Sequence, residues 1–211
     1  MKKRIMMLVL GIAVIMVAIF GIFTYLNNNQ NESQDTNETV SNESKTDDIN
    51  IENMGNTLIL YFSMSGNTET VANYIHEEIG GDIVKLETVQ TYPEDYDELV
   101  DYAREEQRDN TRPELETTIE NIEQYDTIFM GYPNWSGHMP MPIYSFLDQY
   151  DLSNKTIAPF ITHGGSGLSG TPANIANEEP DAVVTEGLAI NGDDVDDCQD
   201  EVNEWLDELN F

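Results

Sequence analysis

From Thr57 onward the chain alternates short apolar runs with amphipathic stretches. Leu58, Ile59, Leu60, Tyr61 and Phe62 form a continuous apolar, β-rich block, too short for a buried helix. Such a block predicts a strand covered on both faces, as in a parallel sheet. Val71, Ala72, Ile75 and Ile79 then recur at helical spacing, and Gly80-Gly81 ends the pattern. Ile83–Leu86 reads as a second strand, Tyr96–Gln107 as a helix, and Thr127–Tyr132 as a third strand stopped by Pro133. Pro142–Tyr150 reads as a helix, Thr156–Thr162 as a fourth strand, and Thr171-Pro172 as the opening of a short helix. Ala182–Ile190 supplies the last strand. Val195, Cys198, Val202, Trp205 and Leu209 form the apolar stripe of a final helix. Repeated strand–helix units predict an α/β fold: a doubly wound, five-stranded parallel sheet in three α/β/α layers.

The first 56 residues follow a different pattern. Lys2, Lys3 and Arg4 precede an uncharged apolar run from Ile5 to Leu26, long enough to cross a bilayer. No small-x-small cleavage pattern follows, so residues 1–26 are expected to be an uncleaved, single-pass anchor. The basic cluster would stay cytoplasmic, with the C-terminal domain outside the cell membrane, or secreted if the segment were cleaved. Residues 27–56 are polar and have almost nothing to bury, which predicts a disordered tether before a domain at 57–211.

Charge narrows the function. Nine Lys and Arg against 40 Asp and Glu give a net charge of −31, which repels nucleic acid. The single cysteine, Cys198, excludes an internal disulfide and a thiolate metal cluster.

In open α/β sheets, ligands bind beyond the carboxyl ends of the strands. Three loops fall there: Ser63–Thr68, Tyr132–Met139 and Thr162–Gly170. The first, Ser63-Met64-Ser65-Gly66-Asn67-Thr68, joins a buried strand to a helix N-terminus. Its hydroxyls, free backbone N–H groups and the helix dipole suit a phosphate. No Lys or Arg is expected nearby, so hydrogen bonds alone would hold the charge. As an ordinary turn it would instead use Thr68 as the helix N-cap.

On these residues the domain resembles the flavodoxin family. Ser63 to Thr68 matches its hydroxyl-x-hydroxyl-Gly-x-Thr phosphate loop. Gly131-Tyr132-Pro133-Asn134-Trp135 resembles the strand–Pro–x–Trp loop over the flavin ring. Thr162-His163-Gly164-Gly165-Ser166-Gly167 resembles a glycine-rich third loop. The resemblance implies noncovalent FMN, with its phosphate on Ser63, Ser65, Asn67 and Thr68 and with Met64 and Gly66 in the same cofactor-binding loop. The ring would lie between Pro133, Asn134, Trp135, Ser136 and Gly137 on one side and His163, Gly164, Gly165, Ser166 and Gly167 on the other. Trp135 would stack on the ring. Two departures stand out: the third loop lacks an aromatic residue, and Ser136 follows Trp135 where two aromatics are common. The implied function is membrane-tethered electron transfer between redox partner proteins, with a low potential for the last electron because the site is acidic. Two alternatives remain open: an NAD(P)H-dependent FMN reductase or quinone oxidoreductase, and a tethered binding module without cofactor.

Two other motifs are poorly placed. Gly165-Ser166-Gly167-Leu168-Ser169-Gly170 fits the dinucleotide fingerprint but follows the fourth strand instead of the first. Ser65 lacks the flanking glycines of a hydrolase nucleophile elbow, since Ser63 and Asn67 occupy those positions.

Overall fold

The structure, a computed structural model, describes residues 56–211. The expected anchor at 1–26 and nearly all of the expected tether at 27–56 lie outside the described residues. Asn56, the last residue of that tether, is tied to the domain: its side-chain amide donates to the Gln124 carbonyl at 2.9 Å. Among the described residues, no helix is long and apolar enough to cross a membrane.

The elements in chain order are β1 (Thr57–Tyr61), α1 (Asn67–Ile79), β2 (Asp82–Lys85), α2 (Tyr96–Asp109) and β3 (Thr127–Pro133). They continue as α3 (Met141–Gln149), β4 (Thr156–His163), α4 (Thr171–Glu178), β5 (Val183–Val184), β6 (Leu188–Asn191) and α5 (Gln199–Glu208). All strand pairs are parallel, in the order β2-β1-β3-β4-β5, with β6 also pairing with β4. The expected last strand is therefore split. β5 pairs with Thr156 and Ile157, and β6 with Phe160 to His163, so both pieces occupy one sheet edge.

Strand alternation feeds two cores. Leu58, Leu60 and Phe62 point to one face with Ile143, Phe146 and Ile175, where Leu99 and Tyr102 of α2 also pack. Ile59 and Tyr61 point to the other, against Val71, Ile75, Val202 and Trp205 of α1 and α5. This is the three-layer α/β/α architecture anticipated from the pattern. Each fully buried aliphatic side chain contributes about 2 kcal/mol of transfer free energy. Gly131 of β3 is required by packing: a Cβ there would meet the Phe160 ring of β4 at 2.1 Å.

Candidate functional site

The first loop leaves β1 through buried Phe62 and Ser63, then exposes Met64 and Ser65. The Ser63 hydroxyl accepts the Gly66 N–H at 3.2 Å and tightens the turn. Gly66, not Thr68, is the N-cap of α1. Its φ of 93° suits glycine, and no side chain caps the helix. The first N–H groups of α1 thus lack the side-chain partner that a Ser or Asp cap would supply. The Thr68 hydroxyl instead turns inward and meets the Thr162 hydroxyl at 2.8 Å in a buried contact. The Asn67 amide donates to the Gly192 carbonyl at 3.2 Å, beyond β6.

A cation does lie beside this loop, contrary to the sequence expectation. Lys85, at the end of β2, pairs with Glu69 in the first turn of α1 at 3.2 Å. The charges cancel locally, so the loop is not strongly cationic. Glu87, Glu94 and Glu116 line the cleft next to Ser63 and Met64.

The second loop is organised by Asn134. Its backbone N–H donates to the Thr162 carbonyl at 2.8 Å, extending the β3–β4 pairing by one bond. Its side-chain amide donates to the Gly167 carbonyl at 2.7 Å, and its side-chain oxygen accepts the Gly137 N–H at 2.8 Å. One side chain thus ties the second loop to the third. Trp135 and His138 close a tight turn through reciprocal backbone bonds, with Ser136 at φ 55° and Gly137 at φ 88° between them. Two successive positive φ angles are the signature of a type I′ turn.

The Trp135 indole is half-buried and meets Phe62 edge-on at 5.5 Å and Tyr92 at 5.6 Å. Its carbonyl accepts the Gln107 amide at 3.3 Å. Between Trp135 and α2 lies a small pocket of about 100 Å³, walled by Tyr96, Leu99, Val100 and Ala103.

The third loop is held by its own side chains. His163 accepts the Gly165 N–H on Nδ1 at 2.9 Å, and the Ser169 hydroxyl donates to the Ser166 carbonyl at 2.9 Å. Gly164, Gly165 and Ser166 are exposed, and the His163 carbonyl accepts the Gly192 N–H at 2.8 Å. Behind the loop, the buried Tyr132 hydroxyl bonds to Thr171 at 3.0 Å, and burial pushes its pKa up.

The three loops expected from the sequence converge at one end of the sheet. Sequence reasoning missed the elements that back them: Phe62, Tyr92 from the segment after β2, Glu106 and Gln107 of α2, and Gly192 after β6. Tyr92 donates to Glu106 at 2.6 Å within the core. Burial raises the Glu106 pKa, though the Tyr92 hydrogen bond opposes the rise. Burial and that hydrogen bond both raise the tyrosine.

A family model described as Flavodoxin matches residues 56–209, the whole of the sheet and its loops. The chain belongs to the flavodoxin family. This flavodoxin is similar to a protein of Bacteroides eggerthii DSM 20697 assigned as a flavoprotein. The TM-score is 0.67 and the identity 28%, over 74% of this chain and 99% of that one. It is also similar to a flavoprotein from Lactobacillus acidophilus NCFM solved in complex with FMN. That likeness has a TM-score of 0.58 and 29% identity, over 67% of this chain and 97% of the other. An NAD(P)H dehydrogenase (quinone) of Acidovorax ebreus (strain TPSY) is 33% identical over 125 residues, 53% of this chain and 60% of the relative. One of Azorhizobium caulinodans is 34% identical over the same shares. The chain thus spans 60% of the length of the curated relatives it matches.

Proposed function

We propose that this flavodoxin binds FMN at the three converging loops and transfers electrons between redox partner proteins. The observation that carries the reading is the uncapped N-terminus of α1 beside the exposed Ser65 hydroxyl, opening next to the Trp135 turn. Uncapped N–H groups and the helix dipole favour a phosphate there. Ser65 and the backbone of Gly66, Asn67 and Thr68 would hold it, while the Asn67 and Thr68 side chains brace the loop from behind. Pro133, Asn134, Trp135, Ser136 and Gly137 would flank the ring on one side, and His163, Gly164, Gly165, Ser166 and Gly167 on the other.

Bound FMN would supply one- and two-electron chemistry, and the protein its orientation and electrostatics. Asn134 fixes the spacing of the two ring-flanking loops through Gly137 and Gly167. Trp135 excludes water from one side. The strongly acidic chain, at a net charge of −31, disfavours an anionic reduced ring, which supports a low potential for the last electron. The apolar run at 5–26 supports a membrane tether, with the domain outside the membrane.

The test is the visible absorption of the purified full chain after incubation with FMN and removal of excess. Retained flavin bands support the reading. A colourless protein at saturating FMN overturns it in favour of a binding module without cofactor.

A second reading is favoured by the Acidovorax and Azorhizobium relatives named NAD(P)H dehydrogenase (quinone). In it, the domain itself reduces a quinone with a nicotinamide donor. Steady NADPH oxidation by the FMN-loaded chain and a quinone, with no other protein present, would favour this enzyme over the carrier.

A further inference from the structure

Helix α2 is strongly acidic, and its carboxylates at Asp97, Glu98, Asp101 and Glu105 are exposed. Glu106 is the exception, only 5% exposed. One of its oxygens accepts the Tyr92 hydroxyl at 2.6 Å, and the other has no partner among the described residues. Burying a carboxyl with half its capacity unused is costly, and an apolar pair of the same shape, Leu with Phe, would cost less. What the polar pair provides is a fixed direction for the Tyr92 ring. Tyr92 lies in an irregular segment between β2 and α2, without strand or helix bonds to orient it. Its ring sits edge-on to Phe62 at 5.6 Å, Tyr102 at 5.3 Å and Trp135 at 5.6 Å. The next residue, Gln107, holds the Trp135 carbonyl. Consecutive residues of one helix therefore hold the Trp135 backbone directly and brace its indole through Tyr92.

We propose that Glu106 is a positioning residue for the aromatic wall of the candidate site: its hydrogen bond to Tyr92 sets the ring against which the Trp135 indole is held. The inference rests on the FMN reading for its functional consequence, but not for its structural claim. Glu106 touches no ligand and acts through Tyr92 and Trp135.

The experiment compares the full chain with Glu106→Ala, Glu106→Gln and Tyr92→Phe, each alone and in a Trp135→Ala background. The readouts are near-ultraviolet circular dichroism of the ligand-free proteins and the FMN dissociation constant by titration. Losing one oriented aromatic contact corresponds to about tenfold in affinity. Glu106→Ala and Tyr92→Phe are expected to weaken FMN by that factor and to alter the aromatic dichroism. Glu106→Gln should stay near the parent, because its amide oxygen still accepts from Tyr92. In the Trp135→Ala background the first two should have no further effect on affinity.

The proposal is overturned if Tyr92→Phe leaves the FMN affinity unchanged, or if Glu106→Ala, which keeps every aromatic side chain, leaves the dichroism unchanged. It is equally overturned if the affinity loss persists undiminished without Trp135, which would mean a general structural role. Should Glu106→Ala fail to fold, Tyr92→Phe and the rescue by Glu106→Gln still decide. If the parent takes up no FMN, the flavin reading falls. The dichroism of ligand-free Glu106→Ala and Glu106→Gln, which keep every aromatic side chain, then decides the positioning claim: an altered spectrum for the first and a parent-like spectrum for the second support it, and two parent-like spectra overturn it.

Discussion

The hydroxyls of Thr68 and Thr162 meet at 2.8 Å beneath the candidate site, one from the first turn of α1 and the other from the end of β4. Both are buried, at 1% and 4% exposure, so neither finds water if its partner is removed. Thr68→Val or Thr162→Val alone is expected to cost about 1–3 kcal/mol by leaving one buried hydroxyl unpaired. The double variant should cost less than the sum, because the orphaned group is gone. Urea unfolding of the four proteins measures this, and additive losses would mean that the two hydroxyls do not depend on each other.

Ser65 is exposed, at the open mouth of the first loop. Ser65→Glu sets a carboxylate where the phosphate of FMN is proposed to bind. FMN retention should be lost by more than about a hundredfold, since like charges near a shared site are strongly disfavoured. The unfolding midpoint should stay within about 0.5 kcal/mol of the parent, as for most surface substitutions. Undiminished FMN binding would place the phosphate elsewhere.

Gly131 and Phe160 are register partners in adjacent strands, and the ring fills the space a Cβ would need. Gly131→Ala is expected to destabilise the domain by about 1–3 kcal/mol through overpacking. Adding Phe160→Leu, which shortens the ring to an aliphatic side chain, should recover part of the loss, as coupled neighbours do. Thermal melts of the single and double variants would reveal the coupling, and full additivity would exclude a clash.

Glu106 gives a pH prediction. Burial raises its pKa in the folded state, opposed only in part by the Tyr92 hydrogen bond. Tyr92 and Tyr102 carry no charge until alkaline pH, and the exposed Glu105 adds negative charge nearby. Above the ordinary carboxyl range, the folded protein holds this proton more tightly than the unfolded chain. Its contribution to stability is therefore fully present at acid pH and is lost as pH rises through the folded-state pKa. Glu106→Gln removes this dependence. The stability of the variant relative to the parent should grow from acid toward neutral pH and then level off. A flat difference across that window would show that burial does not shift the carboxyl.

Much of this architecture could be read from hydrophobic spacing. The apolar blocks at Leu58–Phe62, Thr127–Tyr132 and Thr156–Thr162 are buried strands, because a parallel sheet covers both faces and leaves no polar alternation to obscure them. The three loops followed from their positions after the carboxyl ends of the expected strands. The split of the last strand was not legible: Thr185 to Gly187 interrupt it, and a Cβ on Gly187 would come within 3.1 Å of the Pro159 carbonyl. Nor did local pattern reveal that Gly66, and not Thr68, caps α1, since a partner for Thr68 lies 94 residues away. Glu106 stands beside Glu105 in the helix expected at Tyr96–Gln107, and nothing in the local sequence separates the buried carboxyl from the exposed one. Only the folded chain brings the Tyr92 hydroxyl to it, and the same holds for Lys85 and Glu69.

The sheet order also governs when the site can assemble. β1 carries the first loop, yet one of its two neighbours is β3, whose register begins by pairing Thr127 with Thr57. The Thr68–Thr162 and Asn67–Gly192 bonds that brace this loop reach still further along the chain. Closing such long stretches carries an entropic penalty that local helices escape, so these contacts are expected to form after the local helices. The first loop is therefore braced only once Thr162 and Gly192 are in place, and ligand affinity during refolding is expected to appear together with the complete sheet and not with the early helices.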